Sequence, residues 1–287
     1  MKKRKKSVTG QALNRELREH KSSFGVYIVL RGLVILALIR QIMNGNYENA
    51  FLCVLTLILL VVPSLIQLKL KVELPTVLEI ILLLFIFAAE ILGEIHAFYI
   101  KIESWDTILH TMNGFLMAAI GFALVDILNR QKKLTFHLSP MFMAIVAFCF
   151  SMTIGVLWEF FEFAMDYFFM LDMQKDTIVT GISSVMLDPT GGNTPTKIMG
   201  IEEVIINGEN LNLGGYLDIG IVDTMKDLLV NFIGAVIFSI IGFFYVKSKG
   251  EGWIAKRFIP RLKEEEADYL AQAKRELEEV IKDCKEI

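Results

Sequence analysis

GVLWEFFEFAMD, residues 155–166, sets three acids into an otherwise apolar run. Glu159, Glu162 and Asp166 fall at i, i+3 and i+7, so a helix carries them on one face. The apolar sequence around them extends over 140–168, more than the roughly 20 residues that cross a hydrocarbon core. A carboxylate near the middle of such a helix costs roughly 2.5–3.5 kcal/mol, so it faces a polar interior and marks a site.

Five further stretches have the same length and character: 24–43, 50–70, 75–98, 107–128 and 223–246. Of the 287 residues, 54% are hydrophobic, and the mean hydropathy is +0.52. Only helices or closed barrels satisfy their backbone groups in lipid, and these runs are too long and continuous for barrel strands. The expected fold is an all-α polytopic membrane protein with six transmembrane helices.

The net charge of −3 hides an asymmetry. Lys2, Lys3, Arg4, Lys5 and Lys6 crowd the start, Arg130, Lys132 and Lys133 the connection after span four, and further Lys and Arg the tail. The alternate connections (44–49, 99–106, 169–222) hold only Lys101, Lys175 and Lys197. Basic residues stay on the cytoplasmic side, so both termini are expected there, in the plasma (inner) membrane. The basic start followed by an apolar run has no small-residue cleavage site after it and reads as an uncleaved first span. Three segments follow: 1–23 as a basic cytoplasmic lead with a polar helix over 7–22, 24–247 as the membrane domain, and 248–287 as a cytoplasmic interfacial segment and amphipathic helix. In that last segment Trp253, Ile254, Phe258 and Ile259 alternate with Lys256, Arg257, Arg261 and Lys263, a mixture suited to an anionic lipid surface. Cys53, Cys149 and Cys284 have no disulfide or zinc spacing. No nucleic-acid module appears.

Residues 169–222 form the one long loop. Asn207-Gly208 between KIMGIEEVII and ENLNLGGYLDI is a two-residue hairpin signal, and Asp188-Pro-Thr-Gly-Gly is turn chemistry. A small β-hairpin capping the extracytoplasmic face is expected. Pro63 predicts a kink in span two. Gly114 and Ala118 make a small-xxx-small pair for close helix contact. Asp126 and Arg130, i and i+4, read as a surface pair.

Spans three and five end outside and spans four and six begin there, so their polar faces are expected in one layer of the outer half of the bilayer. That layer holds Glu90, Glu94, Asp106, His110, Asn113, Glu159, Glu162, Asp166, Asp223 and Asp227. So many acids cannot all stay ionised without compensation. Oxygen ligands suit Mg²⁺, Ca²⁺ or Mn²⁺, and adding His110 admits Zn²⁺ or Fe²⁺. The candidate metal ligands are His110, Glu159, Asp223 and Asp227, with Glu162 or Asp106 as general base. Asn113, Trp158, Asn231 and Glu90 are candidate substrate contacts. His96, Glu94, Asp166 and Asp172 fit ordinary solvation at the water interface. The same groups, read blandly, form a polar network that ties helices together, and Trp105 and Trp158 fit an interfacial belt as well as a site wall.

Trp105-Asp106-x3-His110, Gly155-Val-Leu-Trp-Glu-x2-Glu-Phe and Asp223-Thr-Met-Lys-Asp-Leu-x2-Asn-x2-Gly234-Ala resemble, in order, the motifs of the YjdF-like inner-membrane family. More remotely, D-x3-H followed by a Glu-bearing helix and D-x3-D-x3-N-x2-G is similar to the VanZ-like proteins, some of which are linked to glycopeptide resistance. Here Glu162 stands where that pattern shows Gln, and the long hairpin loop is added.

Three functions are open at this point. The first is a metal-dependent hydrolase or transferase acting on a phospholipid or lipid-linked envelope substrate. The second is a proton- or cation-coupled transporter, with Glu79 and Glu90 continuing the path inward; the lack of an internal repeat and of many broken spans counts against it. The third is a non-catalytic envelope protein that uses the hairpin or the tail.

Overall fold

A computed structural model describes residues 8–129, 138–248, 255–263 and 267–283. Lys2 to Lys6, Arg130, Lys132, Lys133, Trp253, Ile254 and Cys284, all named above, lie outside the described residues.

Six helices are long and apolar enough to cross a membrane, and their bounds fall within a few residues of the sequence reading. They are α2 (Lys21–Met43), α3 with α4 (Tyr47–Leu59 and Val62–Leu70), α5 with a π-helical continuation (Thr76–Phe87 and Ala88–Ile95), α7 (Trp105–Asn129), α8 (Pro140–Phe169) and α9 (Ile221–Lys247). The protein is a multi-pass membrane protein. Span two breaks at Leu60–Val61, and Pro63 sits in the first turn of α4, where its missing N–H costs nothing. Span three winds into a π-helix that carries Glu90 and Glu94. The wider turn there shifts Glu90 out of the α-helical register that Glu79 keeps.

The chain forms two compact units, Met1–Met152 with Asn231–Ile287, and Thr153–Val230. In the first, α2, α3 and the α5–π segment pack through Tyr27, Leu30, Val34, Cys53, Leu60, Leu83 and Ile91. A second core joins α7 to α8 and α9 through Ala118, Phe122, Met143, Ala147, Ala235 and Phe238. Small residues let these helices touch backbone to backbone. A Cβ on Gly114 would lie 2.1 Å from the Asn231 carbonyl oxygen, and one on Gly234 would lie 2.0 Å from that of Thr111. The predicted close contact at Gly114 and Ala118 is present, and Gly234 supplies its other half.

At the end of this unit away from Asp106, the chain's two terminal regions meet. Helix α1 (Val8–Glu16) packs against α4 and against α10 (Tyr269–Asp283) around Ala12, Leu68 and Ala273. Strand β1 (Val72–Glu73) pairs antiparallel with β8 (Arg261–Leu262). Arg15 grips both carboxylate oxygens of Glu276 at 2.9 and 3.1 Å, Lys71 meets Asp268 at 2.7 Å, and Lys263 pairs with Glu16 in a buried contact. Glu16, on the polar helix expected over 7–22, is buried, which pushes its carboxyl above the ordinary range against the pull of Lys263. Phe258 and Ile259 depart from expectation. Ile259 is 1% exposed and Phe258 packs edge-on against Phe115, so both fill the core rather than a lipid surface. Asp126, read as half of a surface pair, is only 8% exposed.

In the second unit the loop pairs with itself in three short ladders. These are β2 (Ile178–Val179) with β7 (Tyr216–Leu217), β3 (Gly181–Ser184) with β4 (Thr196–Met199), and β5 (Ile205–Ile206) with β6 (Glu209–Asn210). The Asn207–Gly208 turn is there, with φ of 55° and 91° as a two-residue hairpin turn requires. The hairpin is only two residues deep because its flanks pair with 178–184 instead. Asp188 closes its own turn by accepting from the Thr190 amide at 2.9 Å and hydroxyl at 2.7 Å.

Asp218 holds the root of this loop. Its carboxylate accepts from the amides of Thr177 (2.7 Å), Gly220 (3.3 Å) and Val222 (2.8 Å). Burial pushes its carboxyl up, but those three donors outweigh it and leave it below the ordinary 3.8. A depressed carboxyl stabilises the fold above its unfolded value and loses that contribution as pH falls through its folded one. The protection factors of the Thr177 and Val222 amides, exchange measured relative to the unstructured rate at the same pH, should therefore be high at pH 7 and fall below about pH 3.8. Asp218→Ala should give the low protection already at pH 7; protection unchanged by the variant would exclude this clamp.

Candidate functional site

Each of the acids sits where apolar helix sequence leaves one polar position per turn. On α7 that rhythm gives Asp106, His110 and Asn113; on α9 it gives Asp223, Asp227 and Asn231. In the first unit the Asn113 amide donates to Asn231 Oδ1 at 3.2 Å. Asn231 is 1% exposed, and its own amide reaches Met152 Sδ on α8 at 3.6 Å. Ser151 Oγ donates to the Gly114 carbonyl at 2.7 Å, tying α8 to the same level of α7. The two asparagines expected at a substrate thus bond to each other at the crossing of α7 and α9. Ser151 was not singled out from sequence. A lone hydroxyl inside Phe150-Ser151-Met152 was the available signal, since small polar residues bond across membrane helices.

One turn before Asn113, His110 is 9% exposed, and its Nε2 lies 3.5 Å from Asp106 Oδ1. These two residues are i and i+4 on α7, so the helix itself brings them together. Trp105, beside Asp106, packs edge-on against Phe98.

In the second unit Glu159 and Glu162 are 4% and 7% exposed, while Phe160, Phe161 and Phe163 between and beyond them are all more than 40% exposed. The acids face protein and the aromatic rings face outward, as one helical face of carboxylates requires. Trp158 Nε1 donates to Glu162 Oε1 at 2.8 Å, while 45% of the Trp158 surface stays exposed. Asp227 is 1% exposed. Asp223 is half-buried and accepts from the Lys175 amide at 2.9 Å. Asp166 accepts from the amides of Met173 (2.6 Å) and Gln174 (2.8 Å), so it shapes the chain leaving α8.

The remaining predicted positions lie on the π-helical segment, which packs against α3, α5 and the short α6 (Phe98–Lys101). Glu90 is half-buried there and Glu94 exposed. His96, also exposed, bonds through Nδ1 to the Ile91 carbonyl at 2.9 Å. Glu94 borders an open hollow of about 610 Å³ with Tyr47, Glu48, Asn49, Phe51 and Leu52, none of them a predicted site residue. Glu79 is buried beside Gln67, whose amide donates to it at 3.2 Å while the Gln67 carbonyl accepts from Leu74 N at 2.9 Å.

With these positions fixed, the family can be stated. The family model described as predicted membrane protein (DUF2238) matches residues 26–248. The chain belongs to this family. The match spans the six membrane helices and the loop, and it leaves α1 and α10 outside. No curated protein and no solved structure matches the chain.

Proposed function

We propose that this DUF2238 protein is a membrane-embedded enzyme that uses a divalent cation to hydrolyse or transfer a group of a phospholipid or lipid-linked envelope substrate. The observation that carries it is the set of buried polar groups on membrane helices: His110 beside Asp106 in the first unit, and Glu159, Glu162 and Asp227 in the second. Asn231 and Asp227 are four residues apart on the continuous helix α9, and Asn113 and His110 three apart on α7. Two carboxylates and one imidazole make a mixed N/O donor set suited to Mn²⁺, Fe²⁺ or Zn²⁺, with Mg²⁺ or Ca²⁺ favoured if the histidine stands aside.

Compared with the sequence reading, Asp106 moves from base to ligand and Asp223 from ligand to loop anchor. Glu159 stays the candidate fourth ligand. A bound cation would polarise a phosphoryl oxygen and lower the pKa of a coordinated water. Glu162 is the candidate general base beside it. The indole N–H of Trp158 donates to its carboxylate and fixes its orientation. The orientation that puts the loop outside, by the positive-inside rule, makes the substrate one of the outer leaflet.

The purified protein in liposomes should release water-soluble headgroup or phosphate from phospholipid or lipid-linked phosphate only when a divalent metal is present. Glu162→Gln should lower that turnover by roughly 10²-fold or more while metal affinity stays within a few-fold. Turnover that survives both Glu162→Gln and metal chelation would remove the metal-dependent mechanism, and no turnover of any such substrate with metal present would remove the enzyme reading. Transport keeps a specific observation of its own: two of the six spans are irregular, one broken at Leu60–Val61 and one π-helical at Glu90. Cation flux in proteoliposomes that Glu90→Gln or Glu79→Gln abolishes would favour it.

A further inference from the structure

We infer that the two roots of the 169–222 loop form an apolar rim seated in lipid, at the boundary between headgroups and acyl chains. All the residues concerned belong to the second unit. Six described non-glycine residues have a left-handed backbone: Lys71, Ala97, Met170, Asn207, Asn212 and Ile219. Only Met170 (φ 55°) and Ile219 (φ 58°) carry large apolar side chains, and they flank the loop on either side. Left-handed φ suits glycine or asparagine. It is disfavoured for a side chain with a full Cβ, most of all a β-branched one.

Met170 is also 87% exposed and Ile219 77%, so neither contributes packing to the protein that would offset the strain. In water, glycine would serve both places better. In lipid, the side chain itself is what stabilises the arrangement.

The chain on both sides continues the same surface. Tyr167, Phe168 and Phe169 at the end of α8 are each about two-thirds exposed, at 66%, 71% and 66%. Ile221 and Val222 open α9 at 58% and 43%. The rim therefore runs on without a break from faces of α8 and α9 that already meet lipid, and that continuity identifies the bilayer as its occupant. The charge of the loop fixes the kind of surface. Between 169 and 222 only Lys175 and Lys197 oppose Asp172, Asp176, Asp188, Glu202, Glu203, Glu209 and Asp218. A neutral or zwitterionic leaflet fits such a loop, and an anionic one repels it.

The consequence is one of depth. With the bilayer surface at Phe169 and Ile221, Asp227 lies about 9 Å and Glu159 about 15 Å further along their helices, inside the hydrocarbon rather than at the headgroups.

Site-directed spin labelling of the full chain in phosphatidylcholine bilayers tests the rim. Nitroxides placed by Met170→Cys, Ile219→Cys and, as a control, Glu203→Cys are compared for accessibility to oxygen and to a water-soluble nickel chelate. The oxygen-to-nickel ratio should be several-fold higher at 170 and 219 than at 203. Nickel-dominated access at 170 and 219 overturns the inference, and so does protection from both reagents, which would mean that protein covers the rim. If replacing the native cysteines harms folding, Ile219→Trp in the native background gives a second reading. Brominated lipid should quench the added fluorescence, and no added quenching overturns the inference equally.

Discussion

Gly234→Val is expected to melt many degrees below the native protein in mild detergent, whereas Gly32→Val is expected to be tolerated. At Gly234 a Cβ would sit 2.0 Å from the Thr111 carbonyl oxygen and 2.8 Å from Phe115 N. Both are backbone atoms in the middle of α7, so no rotamer change relieves the clash and the two helices must part. Overpacking of this sort costs about 1–3 kcal/mol by itself. Separation would also take the Asn113–Asn231 bond, worth roughly 1 kcal/mol and more if a buried amide is left bare. A total of about 3 kcal/mol is a large share of the stability of an ordinary domain. Gly32 meets nothing within 4 Å, and span one is otherwise rich in β-branched residues, so it serves as the control. Thermal unfolding monitored by size-exclusion chromatography reads the difference; equal melting of the two variants would contradict the close crossing of α7 and α9.

The second large effect concerns Asp227. Asp227→Asn and His110→Ala should each weaken divalent-metal binding by roughly 10²-fold or more, since each removes a ligand from a small set. Ligand binding stabilises the folded state by mass action, about 2.7 kcal/mol at a hundredfold excess over Kd. Adding Mn²⁺ or Zn²⁺ should therefore raise the melting temperature of the native protein by several degrees and leave that of both variants unmoved. Asp223→Asn is the discriminating companion. Its carboxylate already accepts from the Lys175 amide, so this change should loosen the loop and spare the metal response. A metal response lost in Asp223→Asn but kept in Asp227→Asn would reverse the assignment.

The membrane helices were legible because bilayer thickness imposes one strong requirement, a long apolar run, and all six runs meet it. The break just before Pro63, at Leu60–Val61, and the Asn207–Gly208 turn were legible for a related reason: each rests on backbone chemistry that one or two residues decide. The π-helix was not, since nothing local in Ala88–Ile95 distinguishes a wide turn from an α-turn. Partners in tertiary structure were hidden as well. Phe258 and Ile259 sit in a basic stretch that reads as a lipid-surface segment, yet Phe115 and its neighbours draw them into the core. Glu16 reads as surface because Lys263, its partner, lies 247 positions away in sequence.

The candidate site was legible as a face and not as a ligand set. Four-residue spacing put Asp223, Asp227 and Asn231 on one side of α9, and the structure separates their roles. Asn231 bonds to α7, Asp227 is buried, and Asp223 is taken by a loop amide. That last contact depends on how residues 170–175 fold back, which no helical periodicity carries. Glu159 and Glu162 kept the inward face expected of them, and Trp158 donates to Glu162 from the same helix.

The most direct measurement is the metal content of the native protein, purified in detergent and dialysed separately against Mg²⁺, Mn²⁺, Fe²⁺ and Zn²⁺ before elemental analysis. One tightly held divalent ion per chain with at least one of these metals, absent from Asp227→Asn, is the expected result. A folded native protein that retains none of them would contradict a metal site at Asp106, His110 and Asp227.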